Sequence, residues 1–362
     1  MKKQLLIILG LQIVSTLAFS FPEMIRHGYS NCTACHVSTA GGGVLNAYGR
    51  SLSKELISTW SGDQEEGILH GAVDTSKVDD WLALGGDIRG VQVHQENEQV
   101  RRGRWVNMQA SFEAAIVQPR WSVVASVGQY IKPNEWKEYA PRYFAQLMPV
   151  DGLYLKAGRF LPNFGINLPD HILSTRGALQ FGYGQEKDTA EVSWLGADWN
   201  IIASVYKAPR QLSNLNLSGA SGVVTYTFLD NHKVGLQHLS EKDDLQKRQV
   251  SGVLGYLGWN KKMTTLIELD EQKTQVTGAT ERKGYALMQR TSYELYKGLQ
   301  AVFLNDYFQA DHENGSTKDY KYGPGVQWFP RPHFDLQLFW TREQLRSMKE
   351  GDYAWLALHY YL

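Results

Sequence analysis

The chain has 362 residues, room for two or three domains or one long barrel, and its 37 basic and 37 acidic side chains cancel. A neutral chain without a basic run excludes the concentrated positive face that nucleic-acid binding needs. Its 34 glycines, 19 tyrosines and 11 tryptophans, at a mean hydropathy of −0.36, suit short strands and turns and exclude a bundle of membrane helices.

Residues 1–20 carry the three parts of a secretory signal: Lys2 and Lys3, an apolar run from Leu5 to Val14, and small Ala18 and Ser20 before Phe21. Cleavage is expected after Ser20. A retained anchor helix is the rival reading, but a membrane helix takes about 20 apolar residues and this run is short and broken by Gln12. No later stretch approaches that length, so any membrane-spanning part has to be a closed barrel.

The most specific motif lies in 26–36, RHGYSNCTACH, where Cys32, Cys35 and His36 form C-x-x-C-H. Two thiols about one helical turn apart can each take a haem vinyl group as a thioether, and the next imidazole then lies beneath the iron as proximal ligand. The rival is a disulfide between Cys32 and Cys35, which an exported chain could form. The adjoining His36, the signal just upstream and the lack of further cysteines for a structural zinc favour one covalent haem c. For the sixth iron position the nearby candidates are His27, His70 and Met24, and an open five-coordinate iron is the remaining option.

After a flexible corner at Gly41, Gly42 and Gly43, the apolar residues Leu45, Tyr48, Leu52, Leu56 and Ile57 recur at helical spacing, which predicts a helix over 44–60 covering one side of the haem. Residues 21–79 then read as a small α-helical c-type haem domain or plug, too small to be stable without the haem in its core.

From residue 80 the period changes to two. Strands are expected at 80–94, 105–117, 120–132, 142–149, 151–160, 188–195, 198–208, 219–229, 232–240, 247–258, 261–271, 281–294, 297–309, 319–329, 333–343 and 353–362. Their connections alternate. The short ones fall at 118–119, 150–151, 196–197, 230–231, 259–260, 296 and 330–332, whereas 94–104, 208–217 and 309–318 are long and polar. About sixteen strands with short turns at one rim and long loops at the other predict an antiparallel outer-membrane β-barrel over 80–362, with a soluble sandwich or solenoid as the rival.

Within strands the apolar residues alternate with polar ones, as for lipid outside and water inside. Val106, Met108, Ala110, Phe112, Ala114 and Ile116 oppose Asn107, Gln109, Ser111 and Glu113, and Phe334, Leu336, Leu338 and Trp340 oppose Asp335, Gln337 and Thr341. Parity places Asp87, Arg89, Glu113, Lys156, Glu191, Lys233, Glu268, Asp270 and Asp335 in the lumen. The longest loop, 161–187, carries Phe164, Gly165, Asp170, His171 and Arg176 and is expected to fold inward.

A signal, one C-x-x-C-H, a short helix and a porin-like barrel together resemble the fused monohaem cytochrome-porins of the outer membrane, best known in iron-oxidising bacteria. The sharper local likeness is C-T-A-C-H followed by Leu45-Asn46-Ala47-Tyr48-Gly49-Arg50, similar to that family's L-N-x-x-G-R. The resemblance carries over Cys32 and Cys35 as haem attachment and His36 as proximal ligand. It implies an electron conduit, with Fe(II) oxidation as one form of it, between an extracellular donor or acceptor and periplasmic cytochromes or other carriers. This chain departs from the family in its shortness, in His27, and in ending on Leu362 where the barrel-assembly signal is commonly Phe. A solute porin with a haem-bearing plug and a haem-based gas or peroxide sensor or enzyme are the rival functions; no side-chain catalytic triad or phosphate loop is present.

Overall fold

The structure is a computed structural model that describes residues 22–62, 65, 67, 70, 72, 78, 81–98, 100–132, 135–139, 142–168, 173–182, 184–209, 216–346 and 349–362. The secretory signal and the loop residues Asp170 and His171 lie outside them.

The chain forms one closed antiparallel sheet: β1 (Leu82–Glu96), β2 (Arg101–Gln118), β3 (Trp121–Lys132), β4 (Glu135–Tyr139), β5 (Tyr143–Val150), β6 (Leu153–Phe160), β7 (Lys187–Leu195), β8 (Trp199–Lys207), β9 (Ser218–Phe228), β10 (His232–Lys242), β11 (Gln246–Asn260), β12 (Met263–Val276), β13 (Arg282–Tyr296), β14 (Leu299–Gln309), β15 (Lys318–Trp328), β16 (Phe334–Leu345) and β17 (Gly351–Tyr361). β4 and β5 both pair with β3, one beyond the other, so seventeen segments occupy sixteen positions. β17 closes the barrel on β1 with Asp87 opposite Tyr361. All sixteen expected strands are present, and β4 is the segment that alternation did not reveal.

The rims differ as expected in kind but less in degree. Turns at 119–120, 151–152, 261–262 and 297–298 are short, while 161–186 is long. The 94–104 connection, however, shrinks to 97–100, because β1 and β2 stay paired to Glu96 opposite Arg101. Ladder bonds are made by backbone and need no apolar side chain. Gln95 accepts from Arg102 at 3.1 Å, and the Asn97 N–H closes the turn on the Val100 carbonyl.

The wall is inverted relative to a soluble protein. Phe112, Ile116, Val192, Ile201, Val205, Leu338 and Leu356 are exposed outward, whereas Gln109, Glu113, Glu191, Ser204, Gln337 and Thr341 are buried inward. Such an outer face is stable only against lipid, and closure leaves no unpaired strand edge. Trp121, Trp194 and Trp199 sit exposed near the short-turn rim, where amphipathic rings anchor at a membrane interface.

Two segments occupy the lumen. The first is 22–60, with a 3-10 turn at Pro22–His27, another at Cys32–Ala34, and helix α1 at Ala47–Leu52 continued by a π-turn at Ser53–Ile57. The expected helix over 44–60 is therefore shorter. Val44 and Leu45 are taken by a bridge to the Cys-His turn, and the Ser58 N–H returns to the Ser53 carbonyl. The apolar core of this segment (Met24, Cys35 and Leu45 with Tyr29, Tyr48, Leu52, Leu56 and Ile57) is completed by Tyr361 of the last strand. The second is loop 161–186, which turns inward. Its Ile166, Leu168 and Leu173 pack on Leu266, Met288, Leu304 and Phe339, and its Phe164, Leu179 and Phe181 on Leu239, Val250 and Phe308. The wall beneath this loop is apolar on its inner face, which simple lipid-out alternation did not anticipate.

Candidate functional site

The C-x-x-C-H residues form one tight turn, with the N–H groups of Cys35 and His36 both donating to the Cys32 carbonyl, at 3.2 and 3.0 Å. The two cysteines form no disulfide. Three successive glycines at positive φ (Gly41 +72°, Gly42 +68°, Gly43 +69°) then reverse the chain, a conformation that costs little only without a Cβ. The return strand pairs Val37 N–H with the Val44 carbonyl at 3.1 Å and bridges His36 to Leu45.

The residues of L-N-x-x-G-R hold this turn shut. The Asn46 N–H donates to the Cys35 carbonyl at 2.8 Å, and its side-chain amide donates to the Ala34 carbonyl at 2.7 Å. The same side chain caps α1 by accepting from the Gly49 N–H at 2.8 Å. A Cβ on Gly49 would stand 2.5 Å from the Cys35 carbonyl oxygen, so only glycine lets the helix lie on the turn. Arg50 donates to the Leu45 carbonyl at 3.1 Å. The polar side chains of the motif, Asn46 and Arg50, thus satisfy backbone carbonyls of Ala34 and Leu45.

The lumen wall grips this segment with charge. Lys156 and Glu191 pair at 3.0 Å, fully buried, and both reach Thr39 Oγ1 at 3.1 Å. Lys233 donates to the Ser30 carbonyl at 2.7 Å, Gln146 to that of Val37 at 3.1 Å, and Arg290 pairs with Glu23 at 2.9 Å. Glu113 and Arg142 pair against Gly43, where a Cβ would collide with Glu113 and crowd the Arg142 guanidinium at 3.3 Å. Of the other expected lumen charges, Glu268 accepts from the Ile166 N–H of the inward loop, Asp270 takes a bond from Gln237 at 2.7 Å, and Asp87, Arg89 and Asp335 surround His359. All nine face inward.

His36 is 7% exposed and borders a cavity of about 190 Å³ between the N-terminal segment, the wall and the inward loop. Phe144 and Phe160 of the wall and Phe164 and Phe181 of the loop line it. The His36 Nδ1 is buried without a hydrogen-bond partner. Burial pushes this imidazole down to about 4, so it is neutral at physiological pH, the form that can ligate iron. A Cβ on Gly41 would stand 3.2 Å from the Cys32 Sγ and 3.8 Å from the His36 ring, so thiol and imidazole flank one bare backbone position at the cavity. Two cysteines in one turn that form no disulfide, with a neutral imidazole on the cavity, fit a covalently attached haem.

The candidates for the opposite axial position are placed elsewhere. His27 Nε2 accepts from Arg26 Nε at 3.2 Å, beside the Arg26–Glu294 pair. His70 stacks on Phe334 and Tyr360 at ring distances of 5.5 and 6.0 Å. Met24 is buried with Cys35. Neither His27 nor His70 lines the His36 cavity; the histidine that does is His359, which bonds Asp87 at 2.8 Å. His359 was legible in principle, since it falls on the opposite parity from Leu356 and Leu358. Arg142, the first residue of the strand expected at 142–149, was legible in the same way, on the parity of Phe144 and Gln146.

No protein-family model matches the chain, and no curated protein matches it. Solved structures do. OmpT of Vibrio cholerae aligns at TM-score 0.59 and 10% identity, covering 78% of this chain and 98% of its own. The anion-selective porin from Comamonas acidovorans gives 0.61 and 10%, covering 78% and 99%, and OprB of Pseudomonas putida gives 0.61 and 8%, covering 85% and 99%. Identities this low speak to fold alone, and on that measure the chain has the sixteen-position barrel fold of the outer-membrane porins.

Proposed function

We propose that this barrel is an outer-membrane electron conduit, carrying one haem c on Cys32 and Cys35 with His36 as proximal ligand, and passing electrons between an extracellular donor or acceptor and periplasmic carriers. The observation that carries the reading is the C-x-x-C-H turn inside the lumen, closed by Asn46 and Gly49, with its imidazole on a cavity. Haem bound there supplies one-electron Fe(III)/Fe(II) chemistry. The chain's own residues do the rest. Asn46 and Arg50 fix the turn, Lys156, Glu191 and Lys233 hold it against the wall, and Phe144, Phe160, Phe164 and Phe181 supply the apolar part of the cavity lining. A barrel's apolar band is about 25 Å tall, more than one haem spans, so the cofactor works from within the lumen or with a partner. The resemblance to cytochrome-porins supports this reading.

The second reading, a solute porin with a plug, is favoured by the porins and channels among the similar structures. It has to contend with a lumen in which Leu266, Met288, Thr264 and Glu268 are fully buried. Holoprotein in liposomes separates the two. A conduit passes electrons from an external ferrous reductant to an enclosed soluble cytochrome, and His36→Ala abolishes transfer while the barrel stays inserted. Equal rates in the inserted, haem-deficient His36→Ala barrel, together with swelling of liposomes in small solutes, would establish the porin instead.

A further inference from the structure

The outer face of the wall carries an open groove between β5 and β11 that the conduit does not use. Its long-loop end is one cross-strand line of outward side chains. Register sets Arg159 opposite Asp188, Asp188 opposite Lys207, Lys207 opposite Ser218, Ser218 opposite Lys242 and Lys242 opposite Lys247. Neighbouring strands stand about 4.8 Å apart, so the backbone positions of the three lysines fall within about 15 Å.

The acidic groups nearby are already engaged. Asp188 is taken by Arg159 at 2.9 Å. Glu241, the other carboxylate on the groove, turns inward and accepts from Arg248 Nε at 2.8 Å and the Tyr206 hydroxyl at 3.0 Å. Asp243 and Asp244 stand in the turn beyond, bonded to the Gln246 N–H at 2.9 Å and the Asn216 amide at 3.0 Å, and neither lines the groove. Lys207, Lys242 and Lys247 are exposed, and among the described residues none of them pairs with a carboxylate. Across the barrel, by contrast, Arg342, Arg346 and Lys349 each face one: Glu350 at 2.9 Å, Asp319 at 3.7 Å and Glu98. Like charges directly opposite on adjacent strands, as Lys242 and Lys247 are, destabilise a sheet, and an anion between them relieves that cost.

Toward the membrane the groove turns apolar. Ala190, Ala203 and Ala220 form its floor, Leu155, Val192 and Val205 flank it, and Ala190, Val205 and Ala220 belong to both ends, which makes the groove continuous. Trp199, at the short-turn rim, and Lys207 bound strand β8. They are about 27 Å apart along the strand and about 20 Å apart along the membrane normal at the usual tilt, so the lysines lie just inside the far edge of an apolar band about 25 Å tall. Lysine stems reach from that depth to the lipid heads. A soluble anion is not enriched there, whereas a lipid phosphate is fixed there.

We propose that this groove seats one phosphate-bearing, acylated sugar lipid of the outer leaflet, with its phosphate among Lys207, Lys242 and Lys247 and an acyl chain over Ala190, Ala203 and Ala220. Long loops face the cell exterior in such barrels, which puts the lysines in the outer leaflet. The site is independent of the haem.

The test is native mass spectrometry of the full-length barrel in detergent, titrated with diphosphorylated lipid A, with the same lipid stripped of phosphate, and with phosphatidylglycerol. Each lysine near an anionic head gives about fivefold in affinity, so the three together are expected to give roughly a hundredfold preference for the phosphorylated form. The triple variant Lys207→Gln, Lys242→Gln, Lys247→Gln should bind both forms alike. Ala220→Phe, which fills the floor and leaves the charge, should lose the retained lipid, while Lys273→Gln, an outward lysine already paired with Glu271 at 3.2 Å, should behave as wild type. A triple variant with the wild-type preference, or an Ala220→Phe barrel that keeps the lipid, overturns the proposal. So does equal retention of phosphatidylglycerol, or displacement of lipid A by inorganic phosphate at equal concentration, which would make the lysines a free-anion site. An oligomer that Ala220→Phe converts to a monomer would assign the groove to a second copy of the chain and overturn it too.

Discussion

The two inserts that fill the lumen use polar and apolar contacts in different proportion. The N-terminal segment is clamped by wall side chains, chiefly the Lys156–Glu191–Thr39 cluster, Arg290–Glu23 and Lys233 on the Ser30 carbonyl. The inward loop packs through Ile166, Leu173, Phe164 and Phe181 on an apolar wall, and only a few backbone N–H groups reach wall acceptors: Gly165 to Gln237, Ile166 to Glu268 and Ser174 to Asp306. A segment that carries a cofactor turn has to be held in one orientation, and directional charge does that. A loop that fills space can rely mainly on apolar area, which is non-directional.

Three substitutions test this contrast. The largest effect is expected from Lys156→Met, which strands Glu191 in the buried wall and removes the donor to Thr39. Breaking one side of a buried pair costs about 3–5 kcal/mol. A lower denaturation midpoint and faster amide exchange over 30–46, with exchange over 173–182 unchanged, is the expected result. The double variant Lys156→Met, Glu191→Leu should recover most of the loss. If Lys156→Met exchanges like the wild type, the segment is not held by buried charge.

Ser174→Ala sharpens the other side. It removes the Ser174 Oγ bond to Asp306 Oδ2 at 2.7 Å but keeps the N–H bond to Oδ1 at 2.9 Å. A hydrogen bond to a charged group contributes about 1.5–3 kcal/mol, and most of the loop's apolar packing remains. Hydrogen exchange should rise over 173–182 only. Faster exchange over 30–46 as well would show the two inserts to be one cooperative unit.

The smallest effect is expected from Gly49→Ala. Its methyl meets the Cys35 carbonyl, and overpacking of this kind costs about 1–3 kcal/mol. The predicted outcome is a loosened N-terminal segment in an intact barrel, with slower or incomplete haem attachment, measured as haem-to-protein mass ratio. Full attachment at wild-type rate would show that α1 does not buttress the turn.

Much of this was readable in the sequence because a strand's side chains alternate strictly between faces. Parity alone put Glu113, Lys156, Glu191 and Glu268 in the lumen and found sixteen strands. The same rule held His359, unread, opposite Leu356 and Leu358. The rims were less legible, since backbone pairing carries β1 and β2 past their apolar residues to Glu96 and Arg101.

The C-x-x-C-H spacing, the glycine reversal and Asn46 are local, so the sequence by itself determined a closed turn with His36 beside two thiols and a barrel turned apolar side out. Only the tertiary structure decided what that turn faces. His27 and His70, near it in the chain, lie off its cavity, while Arg142, Asn167, Arg176 and His359, far along the chain, line it. The physical reason is closure: a barrel brings the first and last strands together and lets one inward loop reach the middle, and no local periodicity records which distant side chains then converge.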